Sequence, residues 1–133
     1  MLAGNLATRG YDWWWHSLVG VSNRSGLQRP FFIEYFVINP ALGGKEPIFG
    51  QFEQNKRKGI RPSYAMIMAG SWSKNDAVQI HNFYGIDDFA ASVDKMDVRI
   101  GSHIATETHI KGSVIFQKNK PQNIQNSCPT LEK

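Results

Sequence analysis

Glu34 is the one carboxylate inside the aromatic run Phe31-Phe32-Ile33-Glu34-Tyr35-Phe36-Val37-Ile38. On a strand it shares a face with Phe32, Phe36 and Ile38, because side chains two apart point the same way. A carboxyl group in apolar surroundings is disfavoured in its charged form, so it keeps its proton closer to neutrality and can serve as an acid. On an outward face the same residue is an ordinary solvated glutamate.

Trp13-Trp14-Trp15-His16 is the second concentration of chemistry, holding three of the four tryptophans. Alternation sends Trp13 and Trp15 to one face and Trp14 and His16 to the other. Two readings fit: a large aromatic core, or a hydrophobic ligand cavity with a polar gate at His16. In either, Trp13 to Trp15 and Trp72 are expected to be substantially buried. Indole faces also attract a developing cation through their quadrupole, by up to about 2 kcal/mol when desolvated. Trp13, Trp15 and Trp72 are therefore candidate walls of a ligand site, and Tyr35 of the aromatic run joins them. His16 and His81 titrate nearest neutrality and are candidates for orienting or deprotonating a hydroxyl group. A strand histidine can equally be a hydrogen-bonded structural residue. Glu107 and His109 lie two apart, which suggests a second acid–base pair or a solvated face.

Strands must position these residues. Residues 13–22 run into the turn signal Asn23-Arg24-Ser25-Gly26 and return through residues 31–38, a long hairpin. Asn39-Pro40 ends it, since proline cannot donate to a ladder. Residues 40–61, with Gly43, Gly44, Pro47, Gly50 and Gly59, are expected to form a long loop, such as a lid over a site. A second hairpin is expected from Ser63–Trp72 through Ser73-Lys74-Asn75-Asp76 to Val78–Tyr84. A third is expected from Met96–Ile100 through Gly101-Ser102 to Ile104–Phe116. Residues 87–93 suggest a short helical turn. Three successive hairpins point to an all-β antiparallel meander that curls toward a barrel. Six strands do not close the eight-stranded barrel that holds a small ligand, so the barrel is expected to be incomplete.

The 133 residues suit one domain, with residues 1–116 as the β-domain and 117–133 as a polar, frayed tail. Apolar content of 41% and charged content of 20% are globular values. Of the formal charge of +4, half lies in the tail, through Lys118, Lys120 and Lys133 against Glu132. The basic cluster Lys56-Arg57-Lys58 with Arg61 has no aromatic platform beside it, so it reads as a solvated loop rather than a nucleic-acid site. The single cysteine, Cys128, rules out an internal disulfide, and the four histidines show no metal spacing, so no metal or cofactor is expected. Without a signal peptide or a long apolar run, the sequence points to a cytoplasmic protein with no transmembrane segment.

Four stretches together resemble the N-terminal portion of bacterial tocopherol cyclase-like proteins. They are Gly10-Tyr11-Asp12-Trp13-Trp14-Trp15-His16-Ser17, Phe31–Phe36 with Asn39-Pro40-Ala41-Leu42-Gly43, Arg61-Pro62-Ser63-Tyr64, and Gln79-Ile80-His81-Asn82-Phe83-Tyr84. The resemblance covers residues 10 to about 116 and extends to plant tocopherol cyclases and carotenoid hydratases, lipocalin-like enzymes with two adjoining β-barrel halves. It implies that the chain is about the first half or less of such a protein, partnered by a missing second half. The tail from Gln117 departs from the pattern, as a truncation or frameshift would produce. The implied activity is an intramolecular cyclisation of a prenylated quinol or another isoprenoid. Glu34 would protonate the alkene, the indoles would stabilise the tertiary cation, and His16 or His81 would orient the quinol. The alternative is a non-catalytic calycin-like module that binds an apolar ligand and needs no acid.

Overall fold

The structure, a computed structural model, describes residues 2–49 and 53–113. The tail 117–133 with Cys128, and residues 114–116 of the expected last strand, lie outside the described residues. A short 3-10 helix, Gly4–Thr8, leads into β1 (Tyr11–Val21), followed by β2 (Gln28–Ile38), β3 (Tyr64–Ser73) and β4 (Asp76–Tyr84). These form one antiparallel sheet in the order β1-β2-β3-β4. A second sheet follows, β5 (Phe89–Ala91), β6 (Asp97–Ile100), β7 (His103–Thr106) and β8 (Ile110–Lys111), also in sequence order. The all-β antiparallel meander expected from the sequence is what forms, and no closed barrel forms among the described residues.

The turns follow from local chemistry. At the β1–β2 turn Gly26 takes a positive φ of 68°, which costs a residue without Cβ little. Its N–H donates to Ser22 O at 2.8 Å. Lys74 and Asn75 alone join β3 to β4, since Ser73 pairs with Asp76. Asn39 ends β2 in the left-handed region with φ of 45°, and it is buried. Its side-chain Nδ2 donates to Pro62 O at 2.7 Å, and Ser63 Oγ donates back to Asn39 O at 3.1 Å. This clamp closes the base of the 40–61 excursion. The excursion itself carries a 3-10 turn, Pro40–Leu42, and a short helix α1, Glu53–Arg57, where the basic cluster begins.

Two sequence expectations fail in the second sheet. The helical turn expected over 87–93 is a 3-10 turn, Ile86–Asp88, running straight into β5. The strand expected over 104–116 breaks after Thr106, because its hydroxyl accepts the backbone N–H of both Thr108 and His109, at 3.3 and 3.2 Å. Threonine side chains compete in this way with strand ladders. Glu107 and His109 thus sit in an exposed turn rather than on one strand face.

The core lies between the sheets. Tyr35, Ala65 and Ile67 of the large sheet meet Val98, Ile100 and Ala105 of the small one, with Trp14, Ile33 and Tyr84 packed around them. Among the described residues the small sheet covers one face of the large sheet, and Phe49 of the excursion touches the other. This second face carries most of the aromatic side chains.

Candidate functional site

The uncovered face is assembled by alternation and register. Trp13 and Trp15 on β1 pair with Phe36 and Glu34 on β2, and these pair with Met66 and Met68 on β3. Met66 and Met68 in turn pair with Phe83 and His81 on β4. One row across the sheet therefore reads Trp15, Glu34, Met68, His81.

Aromatic clusters flank this row on both sides. At one end the Trp15 and Phe32 rings stack with centroids 4.7 Å apart and planes 3° from parallel, and Phe32 touches Trp72 at 6.1 Å. Phe32 can lie flat because it covers Gly70, where any side chain would collide with its ring. Trp15 Nε1 donates to Ser17 Oγ at 2.6 Å. At the other end Tyr11 stacks on Trp13 at 5.4 Å and on Phe36 at 5.7 Å. Phe49, from the 40–61 excursion, meets Phe83 edge-on at 4.8 Å.

The centre of the row is polar. Burial pushes the Glu34 carboxyl up from its ordinary value, and the nearby His81 partly offsets this. Glu34 therefore holds its proton to higher pH than a solvated glutamate. His81 Nε2 lies 3.1 Å from Met68 Sδ and 3.2 Å from Gln79 Nε2, and its ring stacks over Phe83. When Gln79 donates to it, His81 is the neutral tautomer protonated on Nδ1. An acid, an imidazole and a thioether thus lie side by side on an aromatic surface. Among the described residues no group of three or more His, Cys, Asp or Glu converges as a metal site would require.

Of the sequence candidates, Glu34, His81, Trp13, Trp15 and Trp72 come together on this face. His16 and Tyr35 do not. His16 pairs with Ile33, and Tyr35 pairs with Trp14 and Ile67, all pointing to the opposite face. Adjacent strand residues cannot share a face, so Tyr35 cannot join Glu34. Tyr35 is instead buried in the core, and the loss of water pushes its phenol up to about 12. The expected burial of the tryptophans is also corrected. Trp13, Trp15 and Trp72 remain 49%, 50% and 44% exposed, because the small sheet packs on the other side. Only Trp14 packs against the core.

That other side holds a feature not read from the sequence. A cavity of about 230 Å³ opens between the sheets, lined by Ile33, Tyr35, Ile67, Ala69, His103 and Ile110 among others. His103 is buried beside it, with Nε2 3.1 Å from the Tyr84 hydroxyl, and burial lowers its pKa. Met68 and Gln79 were also missed, although the β2–β3–β4 register places them beside Glu34 and His81, while Phe32 lies on Glu34's face as alternation implied.

Comparison of the chain with protein-family models, curated proteins and solved structures finds no match.

Proposed function

We propose that the aromatic face of the large sheet binds an apolar, prenylated or other isoprenoid ligand, with Glu34 at the centre of the contact. The observation that carries this reading is the single row Trp15–Glu34–Met68–His81 set between two half-exposed aromatic clusters. Flat rings and a polarizable thioether suit a branched, unsaturated chain, and the polar centre suits a ring hydroxyl. Contiguous apolar surface of this extent is uncommon on a lone soluble domain and marks a binding surface.

The cyclase reading is favoured by one further observation, the raised pKa of Glu34, which keeps an acid available for alkene protonation. An open face admits water, which ionises the acid and captures a carbocation, so proton transfer needs the face enclosed. Binding is accordingly the function this geometry supports best.

Tryptophan fluorescence titrated with a soluble prenylated quinol tests it. A saturable quench or blue shift is expected, weakened at least about tenfold by Trp15→Ser, given what a buried aromatic anchor contributes. His16→Asn, on the opposite face, should leave it unchanged. No spectral change at saturating ligand would remove the reading. In an enclosed preparation that cyclises the quinol, Glu34→Gln should lower turnover by roughly 10²-fold, the scale of a lost general acid.

A further inference from the structure

We propose that the aromatic face closes against the same face of a second copy of this chain, about a two-fold axis running along β3. The surface and its symmetry point to this occupant. A two-fold parallel to β3 keeps height along the strands and exchanges left for right, so β2 of one copy lies over β4 of the other. Within the central row Met68 stands between Glu34 and His81, its register partners on either side. The axis therefore sets Glu34 over His81 of the partner subunit, and His81 over the partner's Glu34.

Neighbouring rows fit the same operation. Phe36 and Phe83 flank Met66, so Phe36 faces the partner's Phe83 and the Phe49 ring packed edge-on against it. Phe32 and Gln79 flank Gly70, and because the Phe32 ring lies over Gly70 it sits beside the axis, where it meets the partner's Phe32. Met66 and Met68 meet their own counterparts there, and methionine adapts its shape to an irregular contact. A carboxyl group meets an imidazole twice, apolar rings meet apolar rings, and no row opposes two like charges. Such an isologous contact is satisfied by two copies and stops.

The area suffices. Three overlapping strands at about 4.8 Å spacing and about ten residues long cover some 490 Å² in plan per copy, about 1,000 Å² for both, before side-chain relief is added. That reaches the size of a specific interface. The layers would be aligned strand on strand about 10 Å apart, as in a sandwich. β1 overhangs, leaving Trp13 and Trp15 at the rim. The inference concerns the face proposed for ligand but does not depend on any ligand binding there.

Sedimentation velocity on the full chain over a concentration series tests it. A concentration-dependent dimer is expected. Glu34→Lys sets lysine against histidine at both meeting points, and His81→Glu sets carboxylate against carboxylate, so each variant alone should associate at least about tenfold more weakly. Mixed in equal amounts, the two set lysine against carboxylate at one point and regain the native histidine–carboxyl contact at the other, and a heterodimer should reappear. This recovery also shows that each variant is folded. A monomer at every concentration would overturn the proposal, whether the face then proves bare or covered by the chain's own residues. A dimer indifferent to both substitutions, or not recovered on mixing, would overturn it too. Fluorescence titration below the dimer's dissociation constant reads ligand binding alone, so failure of either proposal is seen separately.

Discussion

His103 and Glu34 are shifted in opposite senses by one cause, the loss of water around them. Burial favours the neutral form of each, which lowers a histidine and raises a glutamate. Below the ordinary histidine value of about 6.5 the unfolded chain binds a proton that folded His103 refuses, so stability falls with pH there. Its contribution is full above that value and is lost as pH falls through the folded one. Glu34 works the other way: its contribution is present below its ordinary value of 4.5 and lost as pH rises through the folded one. The urea midpoint is expected to fall between pH 7.5 and 5.5, and His103→Gln should flatten that slope. A slope unchanged in the variant would assign the acid sensitivity elsewhere. Alternation parted Trp13 from His16, yet Tyr35 was grouped with the tryptophans although the same rule turns it away from Glu34. Alternation could not say which face is covered, since that depends on where β5–β8 dock, far along the chain.

β1 to β4 were readable because each is nine to eleven residues long and bounded by Asn, Gly, Ser or Pro signals. In the small sheet the β6–β7 hairpin was readable around Gly101-Ser102, but β5 and β8 were not, since strands of two or three residues carry too few alternations to show a period. The Thr106 hydroxyl then redirects the chain within what looks like one continuous strand. The two faces of the large sheet should respond unequally to truncation of their side chains. Ile67→Ala removes a buried side chain between the sheets and is expected to cost about 2–4 kcal/mol. Trp13→Ser, on the uncovered face, should cost no more than about 1 kcal/mol at protein concentrations that keep the chain monomeric. Equal losses in chemical denaturation would mean that the outer face is packed as tightly as the inner one.

At the scale of the molecule, two sequence-ordered meanders share one core, and among the described residues one broad aromatic surface lies outside it. A prenylated ligand and a second copy would compete for that surface, so ligand should convert dimer to monomer in proportion to its occupancy. The clamp between Asn39 and Pro62–Ser63 bears on how the chain tolerates being cut. It gathers both ends of the excursion at the sheet, while β2 and β3 are held by a ladder from Phe31–Ser71 to Ile38–Tyr64. The covalent path through Glu53–Arg57 is thus not what keeps the two hairpins together. A protease nick within α1 should leave two fragments that co-elute as one folded species and separate only in denaturant. Fragments of this kind, made separately, should find each other and rebuild the sheet.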